Sequence, residues 1–206
     1  MATITTVEMG ETALERVSGR RLQACGLGAC VGLCLYEPLA QLALLVHVVL
    51  PQTLPASSGR TGVTPLPGKC ADTALLHALA EMTKNGGSSR LVRAVLVGGA
   101  QIFSPPNIGA GDFAVLSRLE IGQRNVLALK EQLSRVGVPL CAEDTGGHGG
   151  RTVTLEAGTG NVWVRPVGLP ERLLATLGRR TDPDPIPALP VLNASYSIRE
   201  GVHYGN

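Results

Sequence analysis

Two runs of the chain, "VGLCLYE" from Val31 and "LALLVHVVL" from Leu42, are apolar almost without interruption. Continuous runs rich in Val and Leu read as buried strands, and "EPLA" between them places proline at a favoured turn position, which predicts a β-hairpin. Upstream, "RRLQACGLGAC" reads as a strand entering a glycine loop. The pattern then changes period. In "ADTALLHALAEMTK", Ala71, Leu75, Leu76, Leu79 and Met82 recur at helical spacing, and "NGG" supplies the stop. "RLVRAVLVGGAQIF" predicts a buried strand ending in a tight Gly-Gly turn, and "LEIGQRNVLALKEQLSRVG" a second amphipathic helix with Gly137 past its end. "PLCAEDTGGHGG" is a short strand running into a glycine turn. "RTVTLEAGTGNVWVRPV" alternates as a second hairpin, and "PERLLATLGRR" suggests a short helical piece. No internal repeat is visible. Strands interleaved with two helices predict an α/β protein.

Composition sharpens this picture. A chain of 206 residues supports one domain, and 44% hydrophobic residues with 26 glycines and 14 prolines suit a compact fold with many tight turns. We expect an N-terminal segment over 1–20, a folded domain over 21–178 and a proline-rich, disordered tail over 179–206. The stretch from Gln52 to Lys69 is rich in Pro, Gly and Ser and reads as a long exposed loop. A net charge of +2 with scattered basic residues and 3% aromatics argues against a nucleic-acid partner. The start of the chain lacks the basic and apolar regions of a secretory signal, and five irregularly spaced cysteines fit reduced thiols, so a cytoplasmic location is expected. No direct membrane insertion is expected, because the most apolar run falls short of the roughly 20 residues that span a bilayer.

The chemistry concentrates around "CGLGAC", Cys25 to Cys30. A dinucleotide fingerprint fails here: the third glycine position is Val31, and a strand rather than a helix follows. No Walker-type Gly-Lys-Ser/Thr ends the loop. Cys25, Cys30 and Cys34 are spaced x4 and x3 with no second pair, so a metal site is not expected. A nucleophile remains. With Pro38-Leu39 as a two-residue turn, Glu37 faces Ala40 and Cys30 faces His47, which would set a thiol beside an imidazole on one face of the hairpin. A histidine within an apolar strand also reads as a satisfied core residue, and a one-residue slip in the turn would separate the two side chains.

The ordered segments "GLGACVGLCLYEP", "VHVVLP", "GKCADTAL", "GGAQIF", "IGQRNV" and "AEDTGG" resemble the CheD family of chemoreceptor glutamine deamidases, from about Arg21 to about Val167. The resemblance implies a layered α/β sandwich with a mixed sheet, related to the deamidating bacterial toxins, and no cofactor. It implies hydrolysis of receptor glutamine side chains to glutamate, with a chemoreceptor cytoplasmic domain as partner and, in some members, a CheC-type phosphatase. Carried over by position, the nucleophile falls on Cys30 and its histidine on His47. The family's threonine six positions before the cysteine is Ala24 here, and its serine before the nucleophile is Ala29. Without a threonine, the ring N–H needs another acceptor: a backbone carbonyl near Ala24, a water, or Gln23. The alternative is a catalytically weak adaptor that keeps only the binding role. The resemblance also makes the 52–69 loop a candidate rim for a receptor groove, and Glu143-Asp144-Thr145-Gly146-Gly147 a candidate support for the site.

Overall fold

A computed structural model describes residues 3–53, 66–101 and 121–178. Among these residues, ten strands and two α-helices follow in the order β1 (Thr3–Thr6), β2 (Thr12–Glu15), β3 (Arg20–Leu27), β4 (Val31–Glu37), β5 (Leu42–Val48), α1 (Ala71–Lys84), β6 (Arg93–Gly98), α2 (Ile121–Val136), β7 (Leu140–Thr145), β8 (Arg151–Glu156), β9 (Asn161–Pro166) and β10 (Arg172–Thr176). They form two five-stranded mixed sheets, ordered β1-β3-β8-β9-β10 and β2-β5-β4-β6-β7. The second sheet is the middle layer. Its Val31, Leu33, Leu35, Leu44, Val46 and Leu96 pack under the helices, while Cys34, Tyr36, Ala43, Leu45, Val95 and Val97 pack against the first sheet. Strands covered on both faces have no polar side to alternate with, which is why β4 and β5 read as unbroken apolar runs. The result is the layered α/β sandwich expected from the resemblance.

The first helix spans the predicted residues, with Ala71, Ala74, Leu75, Ala78 and Met82 as its buried stripe. Leu76 points outward, because it lies one residue off that stripe. The second helix stops at Val136, where Gly137 takes a left-handed conformation.

Three expectations need correction. The turn between β4 and β5 has four residues, Pro38–Gln41, so Glu37 faces Leu42 and Gly32, not Cys30, faces His47. Buried Glu37 stabilises this wider turn by accepting the N–H groups of Leu39 (3.3 Å) and Ala40 (2.5 Å), a demand the sequence pattern does not register. Secondly, "ERLLAT" is not helical. It forms β10 against β9 with a bulge at Leu174, since the open edge of β9 offers ladder bonds that so short a helix could not match. Thirdly, the polar N-terminal segment supplies β1, paired with β3, and β2, paired with β5. The proposed tail and most of the 52–69 loop lie outside the described residues.

Candidate active site

The wider turn shifts the hairpin by two residues, and a shift of two preserves which face each side chain occupies. His47 therefore alternates with Val46 and Val48 and shares the inter-sheet face of Ala43 and Leu45. Cys30, one residue before β4, is partly buried and packs against that same inter-sheet core. The two groups sit diagonally across the hairpin rather than directly opposite. The position facing His47 is Gly32, where a Cβ would lie 2.8 Å from Val153 Cγ1 of the facing sheet, so a side chain here would crowd the inter-sheet core.

His47 is held from the N-terminal side of the chain. Its backbone N–H donates to the Glu11 carbonyl (3.1 Å), and its own carbonyl accepts the Gly10 N–H (2.8 Å). Its ring Nδ1 lies 3.1 Å from the Val7 carbonyl. A carbonyl can only accept, so Nδ1 carries the proton and Nε2 keeps its lone pair. Among the described residues Nε2 is buried without a hydrogen-bond partner. Burial lowers the His47 pKa from its ordinary value, opposed by the Val7 hydrogen bond and the Glu8 charge. Burial raises that of the Cys30 thiol. Both shifts favour the neutral form, of the thiol and of the imidazole.

The acceptor missing at Ala24 is thus supplied by the Val7 backbone. Val7 is fixed to β3 through its N–H, which donates to the Gln23 carbonyl (2.8 Å), next to the fully buried Ala24. The Gln23 side chain is occupied elsewhere: its amide donates to Thr154 Oγ1 (3.0 Å) and its oxygen accepts the Cys25 thiol (3.3 Å). No side-chain motif marks a main-chain acceptor, so Val7 was invisible to sequence reasoning.

The glycine loop before Cys30 is tied down carbonyl by carbonyl. The Ala100 N–H donates to Gly28 (2.7 Å), the Asn125 side-chain amide to Ala29 (2.9 Å), and the Gly99 N–H to Cys30 (2.8 Å). Gly28 spends its own N–H on the Gly26 carbonyl (2.8 Å), so it is not a free donor beside the thiol. Gly98 and Gly99 are at φ 114 and 66, and a Cβ on Gly98 would lie 2.3 Å from the Cys30 carbonyl oxygen. Behind them, a Cβ on Gly122 of α2 would lie 2.7 Å from the Gly99 backbone. The "GGAQ" and "IGQRN" segments are therefore a backbone-on-backbone support for the thiol loop. The glycine turn after β7 extends it: the Gly146 N–H donates to Gly98 (2.9 Å), and the Gln101 N–H to Gly147 (2.8 Å).

Among the described residues, no group of three or more His, Cys, Asp or Glu is placed to hold a metal ion. Cys34 is fully buried, Cys70 is buried and Cys141 is exposed, while His148 is an exposed loop residue and His77 lies on α1.

A thiol and a tautomerically fixed imidazole on one face of a hairpin, within a two-sheet sandwich backed by helices, define a thiol–imidazole class of site. A family described as CheD chemotactic sensory transduction matches residues 50–166. A probable chemoreceptor glutamine deamidase CheD of Caldanaerobacter subterraneus is 39% identical over 147 residues, covering 71% of this chain and 83% of that protein. Proteins of the same description from Syntrophomonas wolfei and Pyrococcus abyssi are 34% and 39% identical, covering 84% and 78% of this chain and 100% and 90% of theirs. The chain belongs to the CheD family.

Proposed function

We propose that this chain is a chemoreceptor glutamine deamidase, with Cys30 as nucleophile and His47 as general base and acid. The observation that carries the assignment is the buried, unpartnered Nε2 of His47, held in its basic tautomer by Val7 on the face that Cys30 shares. His47 takes the thiol proton as sulfur attacks the carboxamide carbon of the glutamine side chain. The oxyanion is met by the backbone N–H groups of Ala29 and Cys30, which donate to no carbonyl among the described residues. The imidazolium returns the proton to the departing nitrogen, ammonia leaves, and a thioester remains. Water, activated by the same ring, hydrolyses the thioester to glutamate and the free thiol. Each turnover replaces a neutral amide by a carboxylate on the receptor, which alters charge repulsion between its helices.

A cytoplasmic location and a second partner, a CheC-type phosphatase, belong to the same proposal. Among the described residues no helix is long and apolar enough to cross a membrane.

Peptide mass spectrometry of a purified receptor cytoplasmic domain, after incubation with the protein or with Cys30→Ala, tests the assignment. Amide-to-acid conversion at defined glutamines is expected, absent with Cys30→Ala and reduced about 10²–10⁴-fold with His47→Asn. Receptor binding without conversion by the native protein would instead make it an adaptor.

A further inference from the structure

Within the buried stripe of α2, formed by Gly122, Asn125, Val126, Leu129 and Leu133, one residue is polar. Asn125 is fully buried, and its side-chain amide spans two separate pieces of chain, donating to the Ala29 carbonyl (2.9 Å) and the Val49 carbonyl (3.0 Å). Ala29 directly precedes the thiol residue, and Val49 lies two residues beyond His47. An asparagine amide has two hydrogens on one nitrogen, so both bonds can form together only if the two chains stand at a fixed separation.

We propose that Asn125 is a positioning residue for the reaction: it fixes the orientation of the Ala29–Cys30 peptide and holds the thiol loop against the end of the strand that carries His47. The proposal rests on the deamidase reading for its catalytic consequence. Its structural half stands alone. In a trans peptide the carbonyl and the N–H point in opposite directions, so turning the Ala29 carbonyl toward α2 turns the Cys30 N–H away from it. Gly28 and Cys30 have their carbonyls held by main-chain donors of the Gly99-Ala100 turn, leaving the central peptide to a side chain alone. Among the described residues, Asn125 is therefore the one side chain whose substitution can free that peptide without removing a backbone donor of the loop. An aliphatic residue here would pack as well but would leave two partly buried carbonyls without this donor.

The test compares Asn125→Ala and Asn125→Asp with the native protein by three readouts: amide hydrogen exchange, alkylation of Cys30 by iodoacetamide across pH, and kcat and KM on a receptor domain. Asn125→Asp keeps the shape and removes both donors, and Asn125→Ala leaves space for water. We expect exchange at Gly99 and Ala100, whose N–H groups donate to the Cys30 and Gly28 carbonyls, to accelerate at least tenfold, with protection elsewhere in the sheets retained. The alkylation pH profile should keep its shape, because it needs the thiol and His47 but no oxyanion donor. On receptor, kcat should fall ~10²-fold, the loss that a displacement of about 1 Å brings, with KM nearly unchanged. A folded variant with native kcat, or with native exchange at Gly99 and Ala100, overturns the proposal. So does a uniform rise in exchange across the molecule, which would mark Asn125 as a support of the fold in general. If the native protein converts no receptor glutamine, the deamidase reading fails, and exchange at Gly99 and Ala100 still decides whether Asn125 holds the thiol loop.

Discussion

The ring of His47 touches one main-chain carbonyl, and that contact decides which nitrogen can act as a base. Its pH consequences have a definite sign. Because burial lowers the His47 pKa, the imidazole loses its proton below the ordinary 6.5, so the acid limb of kcat/KM should lie below that value. Because burial raises the Cys30 pKa, the thiol stays protonated through neutrality, and iodoacetamide alkylation should keep rising past pH 9.0 without a plateau. A plateau near neutrality would reveal a standing thiolate–imidazolium pair and overturn this account. Ala24 supplies the second residue-scale prediction. It is fully buried in the inter-sheet core, and Val7 already serves the ring. Ala24→Thr should therefore leave kcat unchanged while costing roughly 1–3 kcal/mol of stability by overpacking, measured by urea denaturation. A gain in kcat would show that the Val7 carbonyl is an incomplete substitute.

At the scale of elements, the β4–β5 hairpin shows how much of a site periodicity can carry. The face shared by Cys30 and His47 was legible because side chains alternate, and the two-residue error in register left that alternation intact. The pairing itself was not legible, since turn length depends on where Glu37 finds donors. The glycines after β6 behave differently: their spacing signals a turn, but only contact with another element explains why no side chain is tolerated. Gly98→Ala must relieve both a left-handed φ and the 2.3 Å approach to the Cys30 carbonyl. The backbone strain alone costs roughly 1–3 kcal/mol. The urea midpoint should drop, and kcat should fall with it, because what shifts is the thiol loop. An unshifted midpoint would mean that the loop moves aside freely. Asn125 could have been found from sequence as the polar residue in the apolar stripe of "IGQRNVLALKEQL", though not its two acceptors.

Across the whole molecule, the two sheets are joined at one edge by ions as well as by apolar packing. Asp144 on β7 pairs with Arg151 on β8 (2.7 Å) and with Arg172 on β10, so one carboxylate of the middle layer holds two strands of the outer sheet. Asp144 and Arg151 are mostly buried and Arg172 is half exposed. Asp144→Ala would leave the Arg151 guanidinium unpaired, and partial exposure sets the loss near 2–3 kcal/mol. Urea denaturation should show it with little change in receptor KM. A large rise in KM would instead place this edge in the receptor interface.

By itself, the sequence determined elements: unbroken apolar runs require buried strands, and two amphipathic stretches require helices with one face packed. It also suggested that a thiol and an imidazole share a face, and that survived because the turn was misjudged by two residues and not by one. Tertiary structure decided what no local pattern encodes. The Val7 carbonyl reaches His47 across 40 residues of chain, and the Asn125 amide reaches Ala29 across 96. A backbone carbonyl is the same in every residue, so only the folded arrangement of the sheets selects which one meets the ring.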